Sequence, residues 1–403
     1  MSDVREHSTN AGAYTGLVVV EIASTPGAEY TSRLLGEFGA AVLKIEPPAG
    51  ADSRRVGPFA GGLEDGEHSL NFWFYNGDKR SLTLDLGTEA GRSRLDGLLA
   101  KADVLVSDLQ PHELARLSLS LEALSAKHPA LIIAAVTPYG LTGPWKDYRS
   151  SDLIGLAIGG PLHMCGYDDH SIPPIRPGGN QAYHTATAFA HIGVLLALLE
   201  RQRSGLGQIV DTSMHSSLAL TVELANPYWF YPRSLVFRQT CRHAQPVATQ
   251  PTLFPCADGY VYFALVITEE KPWQWLLEWL GHHDFLSGLD DPAYLDAGYR
   301  QMHFHEIQQV VEAFFLINSA HDMYREGQSR GLAIGKLNAP EDLFDDEHEK
   351  ARGFFVPVEH PGTGPVSYAA SAYWFSAFSP VPPKPAPRLG DANGDYWVEP
   401  RSE

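Results

Sequence analysis

The chain has 403 residues, of which 44% are apolar, and a formal net charge of -18. A chain of this length can bury a large core, and two domains are expected. The acidic balance excludes nucleic acid as an expected partner, because phosphate contact needs a stripe of Lys and Arg that is absent from the sequence. The polar start, without a signal pattern or a run of about 18 apolar residues, predicts a cytoplasmic protein that does not enter the membrane.

Cysteine and histidine spacing favours neither disulfides nor a metal site. Cys165, Cys241 and Cys256 are an odd, widely spaced set, which predicts reduced thiols. His303 and His305 stand two residues apart and do not share a helix face, so metal binding is not expected there. A glycine-rich dinucleotide motif after the first strand and a P-loop are both missing, which removes the usual phosphate cradles.

Strands and helices alternate through the first part of the chain. Short apolar runs predict strands at 16–23, 41–46, 80–86, 103–109 and 130–137. Helical spacing between them predicts helices at 28–40, 89–102 and near 114–128. This alternation indicates an α/β fold with a parallel sheet covered on both faces, and ligands near the carboxyl ends of its strands.

A long helix is predicted inside the segment "GGNQAYHTATAFAHIGVLLALLERQRSGLGQIVD", residues 178–211, with Gly205 at its end. Ala182, Ala186 and Ala190 recur every fourth residue, so one face carries only methyl groups. We expect another element to pack closely against that face.

The pattern changes after about residue 220, where a second domain is expected. "TLFPCADGYVYFALV" predicts a hairpin and "KPWQWLLEWLG" a helix. The helical spacing of Trp273, Trp275 and Trp279 favours packing in a core or interface over a stacking platform for a ligand.

Nine ordered segments resemble the class III CoA-transferases, the group that contains carnitine, formyl-CoA and benzylsuccinate CoA-transferases together with alpha-methylacyl-CoA racemase. They are "RLLGEFGAAVLKIEPPAG", "NGDKRSLTLDLGTEAGRSRL", "KADVLVSDLQP", "YGLTGPW", "SDLIGLAIGG", "GVLLALLERQRSGLGQIVDTSM", "CADGYV", "ARGFFVPVEHPGTGPV" and "PAPRLGD". The resemblance implies a Rossmann-like large domain formed by 1–220 and a return segment 331–403, with a smaller α+β middle domain at 221–330. It also implies a dimer of interlocked rings, with CoA and acyl-CoA as substrates and no permanently bound cofactor.

Transferases of this group use an aspartate near the start of the helix to attack an acyl-CoA thioester, which gives a mixed anhydride and then an enzyme–CoA thioester. Counted back from Ile192 and Gly193, that aspartate position is Tyr183. A phenol with an ordinary pKa of about 10 keeps its proton near neutrality and would form an ester rather than an anhydride. Asp168 and Asp169, in the loop upstream, are the alternative source of a carboxylate.

The racemase branch pairs a histidine with an aspartate for proton exchange. Those two positions are Ser151 and Tyr183 here, so both groups are absent. His184 is adjacent but projects about 100 degrees away on a helix, which favours a packing or hydrogen-bonding role over that of a substitute base.

Several positions that the resemblance assigns to CoA contacts differ from the family pattern. The replaced positions are Pro47, Gly87, Asp108 and Leu109. Asp108 would add repulsion toward phosphate. Arg116 matches the family, and Leu84 is a further candidate for CoA contact.

Basic residues close to these segments are further candidates for binding CoA, and a solvated surface role is an equal alternative for them. They are Lys44, Arg54, Arg55, Lys79 and Arg80.

A preserved fold without its nucleophile predicts a subunit of a heteromeric CoA-transferase, whose homologous sister chain carries the aspartate. The arrangement is similar to benzylsuccinate CoA-transferases, which indicates succinyl-CoA as donor and an aromatic dicarboxylate as acceptor. Two alternatives stay open: a self-sufficient transferase that uses another carboxylate or a ternary complex, and a non-enzymatic acyl-CoA-binding or regulatory subunit.

Overall fold

The computed structural model of the chain describes residues 12–222, 225–240, 251–378 and 381–394. The chain divides into two compact units. Unit 1 is formed by Met1–Pro161, Pro177–Val222 and Glu347–Glu403, and unit 2 by Leu162–Arg176 and Glu223–Asp346.

The first part of unit 1 alternates strands with helices, as predicted. Its elements are β1 (Val18–Ile22), α1 (Pro26–Glu37), β2 (Ala41–Glu46), α2 (Leu70–Asn76), β3 (Lys79–Thr83), α3 (Glu89–Leu99), β4 (Val104–Ser107), α4 (Pro111–Arg116), α5 (Leu121–Lys127), β5 (Ile132–Thr137), α6 (Asp152–Gly159), α7 (Gln181–Ser204), β6 (Ile209–Ser213) and α8 (Met214–Leu220). The single helix expected near 114–128 is two helices. Ser118 between them has a φ of 55°, outside helical geometry, and Ser120 caps α5.

The six strands of unit 1 form one parallel sheet in the order β3-β2-β1-β4-β5-β6. This is the strand order of the dinucleotide-binding doubly wound fold. Every residue of β1, β4 and β5 is buried. Continuous burial is typical of central strands covered by helices on both faces, so the predicted Rossmann-like sheet is confirmed.

Unit 2 combines helices with a small antiparallel sheet. Its elements are α9 (Ala225–Phe230), β7 (Leu253–Cys256), β8 (Gly259–Ala264), α10 (Glu270–His282), α11 (Ala297–Met302), α12 (Phe304–Leu316), α13 (Ala320–Ser329) and β9 (Ala333–Lys336). β7 and β8 form the predicted hairpin, and β9 pairs with β8. Trp273 and Trp279 are 1% and 0% exposed in the core of this unit, so the packing role predicted for them is confirmed.

The chain returns to unit 1 with α14 (Glu347–Arg352) and the hairpin of β10 (Phe355–His360) and β11 (Gly364–Ala369). This return lies later than the expected boundary at residue 331. The difference has a physical reason, because Ile334 of β9 stands opposite Phe263 of β8 and fills the core of unit 2. Short 3-10 helices span Asp52–Arg55, Ala60–Gly62, Pro161–Met164, Pro292–Leu295 and Pro340–Phe344.

Helix α7 uses its alanine face as predicted. Ala182, Ala186 and Ala190 are at most 1% exposed. The Thr187 hydroxyl donates to the carbonyl of Gly27 in α1 at 2.8 Å, which fixes the close approach of the two helices. Gly205 ends α7 with a φ of 74°. By length and composition alone α7 could also cross a membrane, but a core helix passes the same test.

The cysteines that the structure describes, Cys165 and Cys256, are free thiols, and Cys256 is buried. Cys241 lies outside the described residues. The Nδ1 atom of His303 is 2.9 Å from Oε1 of Glu306, and the His303 ring stacks on Tyr299. His303 therefore has protein partners of its own.

Candidate active site

In the sheet of unit 1 the strand order changes direction between β1 and β4, which makes the carboxyl ends of these strands a topological switch point. Ligands of doubly wound sheets bind at this switch point. Asp108 directly follows β4, and its Oδ2 accepts hydrogen bonds from the backbone N–H groups of Ser24 at 2.9 Å and Thr25 at 2.7 Å. Since α1 begins at the next residue, the carboxylate also faces the positive end of that helix.

The Asp108 carboxyl is strongly perturbed by its surroundings. Burial raises its pKa to about 6, although the N–H donors of Ser24 and Thr25 act in the opposite direction. Oδ2 is therefore hydrogen-bonded to the start of α1. These N–H donors offset part of its negative charge and so reduce the repulsion of phosphate that the sequence predicted. A carboxyl group with a raised pKa at the switch point of a doubly wound sheet is a typical functional candidate.

Tyr183 lies in the first turn of α7, the position predicted from the sequence. A Cβ atom at Gly27 would stand 3.4 Å from Cδ1 of Tyr183, so the missing side chain of Gly27 leaves room for the ring. Burial, followed by the charges of Asp108 and Asp152, raises the pKa of Tyr183 to about 12. The phenol therefore keeps its proton at neutral pH and is a weak nucleophile.

Asp152 secures the helix that carries Tyr183. It is the first residue of α6, is 4% exposed, and accepts a hydrogen bond through Oδ1 from the backbone N–H of Ala182 at 2.8 Å. An acceptor at this point satisfies one of the unpaired donors of the first turn of α7. The Ser151 side chain accepts from the N–H of Ile154 and caps α6.

His184 takes the hydrogen-bonding role expected from the sequence. Its Nε2 is 2.8 Å from the hydroxyl of Tyr75, and the oxygen of that hydroxyl accepts a hydrogen bond from Nδ2 of Asn180 at 3.0 Å. Burial lowers the pKa of His184, so the ring is neutral at physiological pH. The chain separation of 109 residues between Tyr75 and His184 left no signal in the sequence by which this pair could be found.

Lys44 and Lys79 correct the expectation of solvated surface cations. Both are nearly completely buried, at 0% and 5% exposed. Nζ of Lys44 lies 2.6 Å from Oε1 of Glu21 and 2.7 Å from Oε1 of Glu29. Nζ of Lys79 lies 2.6 Å from Oε2 of Glu21. These ion pairs join β1, β2, β3 and α1, because buried charges must be paired.

Arg54 is also buried rather than solvated. Its Nε donates to Oε2 of Glu46 at 2.7 Å and its Nη2 to Oε1 at 2.8 Å, and the guanidinium stacks 3.9 Å from the ring centroid of Phe72. Such a bidentate pair occupies most of the donors of an arginine. Leu84 is 5% exposed, and its side chain packs in the hydrophobic core. A side-chain contact from Leu84 to CoA is therefore a poor fit.

The remaining basic candidates are accessible. Arg116 is exposed at the end of α4. The side chain of Arg80 is 38% exposed, and its Nη2 donates to the carbonyl of Asp391 at 3.1 Å. Arg55 pairs with Asp52 at the surface at 2.8 Å. Arg116, Arg80 and Arg55 are therefore surface cations, which is one of the two roles expected from the sequence.

Asp168 and Asp169, the alternative carboxylates upstream of α7, belong to unit 2, whereas Tyr183 belongs to unit 1. Oδ1 of Asp168 accepts from the backbone N–H of Thr240 at 2.8 Å, and Oδ1 of Asp169 accepts from the Ser171 hydroxyl at 2.6 Å. The Asp169 carboxylate is therefore engaged in a local turn, whereas the Asp168 carboxylate binds the backbone of a residue 72 positions later in the chain.

The sequence contains one Gly-x-Ser-x-Gly match, Gly327–Gly331, although this serine-hydrolase pattern was expected to be absent. Its Ser329 is the last residue of α13, and the hydroxyl donates to the carbonyl of Glu326 at 2.7 Å. A serine hydrolase needs this serine on a sharp strand-to-helix turn. The motif here ends a helix, so it does not form a nucleophile elbow.

The arrangement at the start of α7 is suited to binding rather than to covalent attack. Tyr183 and His184 are neutral groups that can donate hydrogen bonds, and α7 presents its positive end. Asp108 is the described carboxyl that combines a raised pKa with a position at the switch point. Such a site can hold an acyl or carboxylate oxygen, whereas formation of an anhydride requires a carboxylate.

The family model for CoA-transferase family III matches residues 14–393. Among curated proteins, the succinyl-CoA:(R)-benzylsuccinate CoA-transferase subunit BbsE of Thauera aromatica is 31% identical over 376 residues, which cover 92% of this chain and 90% of that protein. The succinyl-CoA–D-citramalate CoA-transferase of Chloroflexus aurantiacus is 27% identical, with 94% of this chain and 92% of that protein covered.

Among solved structures, a CAIB/BAIF family protein from Brucella suis has the same fold. The two share 24% of their sequence with a TM-score of 0.81, over 96% of this chain and 98% of the other. A match of this extent to the family model and to curated transferases identifies the family. The chain therefore belongs to CoA-transferase family III, a family whose substrates are CoA thioesters.

Proposed function

We propose that this chain is the subunit without a nucleophile in a heteromeric class III CoA-transferase. The observation that carries this proposal is Tyr183 in the first turn of α7, held protonated with a pKa of about 12. The cap from Asp152 to Ala182 and the packing of α7 on α1 keep the scaffold of the site, while the attacking group is missing.

The reaction proceeds on the sister chain. Its aspartate attacks the thioester carbonyl, the C–S bond breaks, and CoA leaves as thiolate while a mixed anhydride forms. The thiolate then attacks the carbonyl of the aspartyl group, which releases the donor acid and leaves an enzyme–CoA thioester. The acceptor carboxylate repeats these two steps in reverse and departs as its CoA thioester. Each step needs a carboxylate, because a phenyl ester from Tyr183 would not exchange readily with an acid.

Relatives of this chain support a heteromeric assembly. BbsE is named as a subunit, and so are the alpha and beta subunits of succinyl-CoA–L-malate CoA-transferase from Chloroflexus aurantiacus, at 27% and 30% identity. We therefore propose a homologous partner that carries the aspartate, joined to this chain as interlocked rings in the cytoplasm. The proposed donor is succinyl-CoA, and the proposed acceptor is an aromatic dicarboxylate such as benzylsuccinate.

We propose Arg116 and Arg80 as the cations of this chain that contact the phosphates of CoA. Their side chains are accessible to solvent. The nitrogen atoms of Lys44, Arg54 and Lys79 already bind carboxylates inside unit 1, and removing those partners would leave buried charges uncompensated.

The test compares the purified chain with the same chain co-expressed with a homologue that has aspartate at the position of Tyr183. CoA transfer from succinyl-CoA to benzylsuccinate is followed by chromatography of the thioesters. We expect turnover from the pair and none from the chain alone. A pair whose partner has that aspartate replaced by alanine is the control and should be inactive. Turnover by the lone chain at the rate of the pair would overturn the proposal.

A self-sufficient transferase is the second candidate, and Asp108 is the observation that favours it. This carboxyl lies at the switch point and has a pKa of about 6. If it acts as a nucleophile, Asp108→Asn abolishes turnover by the lone chain, while Tyr183→Phe leaves that turnover unchanged.

A further inference from the structure

The hydroxyl of Tyr75 lies between two polar side chains of the α7 start. It accepts a hydrogen bond from Nδ2 of Asn180 at 3.0 Å, and Nε2 of His184 is 2.8 Å away. The phenol has a single proton, and Nε2 of His184 is its acceptor among the described residues. Donation to Nε2 satisfies both groups, whereas the opposite direction would leave the phenol proton without an acceptor in a partly buried place.

This direction fixes the tautomer of His184. If Nε2 accepts, the ring proton of neutral His184 is on Nδ1. The ring is neutral because burial lowers its pKa. Tyr30 and Phe74 pack around it, with centroid distances of 5.2 Å and 6.4 Å, and they hold its orientation.

The Nδ1 atom of His184 remains available to a ligand. Within the part of the chain that the structure describes, no group pairs with it, and it is not among the buried atoms that lack a partner. His191, two turns further along α7, makes a matched comparison. Its Nε2 lies 3.0 Å from the hydroxyl of Tyr14, but its Nδ1 is buried and has no partner. Both histidines pair with a tyrosine through Nε2, but Nδ1 is accessible to a ligand in His184 and buried in His191.

We propose that the Nδ1–H of His184 donates a hydrogen bond to a carbonyl or carboxylate oxygen of a bound ligand, so that this chain binds ligand although it lacks the nucleophile. Tyr75 acts as the positioning residue that keeps the proton on Nδ1. The class of ligand, an acyl-CoA or its acid, rests on the proposed function.

The full-length chain, labelled with 15N, tests this proposal with two probes. Succinate offers carboxylates, and acetyl-CoA offers a thioester carbonyl without a free acyl carboxylate. Calorimetry gives the Kd of each probe, and NMR of the histidine ring nitrogens reports the tautomer. We expect the ring proton of His184 on Nδ1. Binding of at least one probe should shift the Nδ1 resonance, and the probe that binds shows whether a carboxylate or a thioester oxygen is recognised.

Variants separate a donor role from a structural one. His184→Leu should raise the Kd of the bound probe about tenfold, the effect of losing one hydrogen bond to a polar or charged group. His184→Asn keeps an N–H close to the position of Nδ1 and should restore most of the affinity. Tyr75→Phe should weaken binding and let the proton move to Nε2. His191→Leu should leave the Kd unchanged.

An unchanged Kd in His184→Leu, a proton on Nε2 in the wild type, or failure of both probes to bind would each overturn the proposal. Circular dichroism checks that each variant is folded. A different result would contradict the proposed function. Turnover by the lone chain would overturn that function but would leave the Kd values of the two probes unchanged.

Discussion

The carboxylate of Asp152 accepts a hydrogen bond from the backbone N–H of Ala182 at 2.8 Å, one residue before Tyr183. This contact joins the start of α6 to the start of α7 and is almost fully shielded from solvent. The start of α7, which carries Tyr183, is therefore held in place by a buried carboxylate of α6.

Removal of this cap should destabilise unit 1. Asp152→Ala leaves the Ala182 N–H without its acceptor, and loss of a helix cap costs about 1–2 kcal/mol in the free energy of unfolding. Asp152→Asn retains an acceptor oxygen and should cost less. Urea unfolding of both variants, followed by circular dichroism, measures the difference. Equal stability of Asp152→Ala and the wild type would show that the cap contributes nothing.

The Asp108 carboxyl should make stability depend on pH in an unusual direction. Its pKa is raised from 3.8 to about 6, so the folded chain binds more protons than the unfolded chain between these values. The contribution of Asp108 to stability is therefore present at low pH and is lost as the pH rises through 6.

Asp108→Asn removes this dependence and keeps an oxygen for the N–H groups of Ser24 and Thr25. The stability of the variant relative to the wild type should be greater at pH 7 than at pH 4. Unfolding free energies at the two pH values give the comparison. A relative stability that is the same at both would disprove the raised pKa.

The pair of Glu46 and Arg54 should respond to acid in the ordinary direction. Burial acts to raise the pKa of Glu46, but the hydrogen bond from Arg54 and the charge of Lys44 outweigh it and lower the pKa from 4.5 to about 2. The folded chain then binds fewer protons than the unfolded chain, so the stabilisation is present above pH 4.5 and is lost as the pH falls toward 2. The shift corresponds to about 3 kcal/mol.

Glu46→Gln should therefore be clearly less stable than the wild type at pH 7, and the difference should shrink as the pH approaches 2. Glu67→Gln is the matched control, because Oε2 of Glu67 lies 3.5 Å from the same Arg54 but its side chain is 37% exposed. An exposed pair contributes at most about 1 kcal/mol. Similar losses in both variants would contradict the assignment of the acid-sensitive contact to Glu46.

The sheet could be predicted from the sequence because its central strands are continuous apolar runs. Val18–Ile22 and Ile132–Thr137 were visible as such, and helical spacing marked α1, α3 and α7. The place of Tyr183 near the start of α7 could be predicted because the helical pattern begins there. Local pattern and local structure agree in these elements.

The site itself depends on contacts that no local pattern shows. Lys79 meets Glu21 across 58 residues, and Asp108 meets Ser24 across 84. A basic residue in a strand resembles a surface cation until its buried partner is known, and for this reason the solvated alternative was wrong for Lys79. The boundary of unit 2 was placed too early for a similar reason, since β9 is recognisable only by its pairing with β8.

Covalent trapping tests the central claim most directly. The lone wild-type chain and the variant Tyr183→Asp, which returns a carboxylate to the start of α7, are incubated with succinyl-CoA, treated with hydroxylamine and digested for peptide mass analysis. Thr185→Asp, with a carboxylate two residues further along the same turn, is the control. We predict no modified residue in the wild type or in Thr185→Asp, and a hydroxamate at residue 183 in Tyr183→Asp. A hydroxamate on Asp108, or on any other carboxylate of the wild-type chain, would contradict the account.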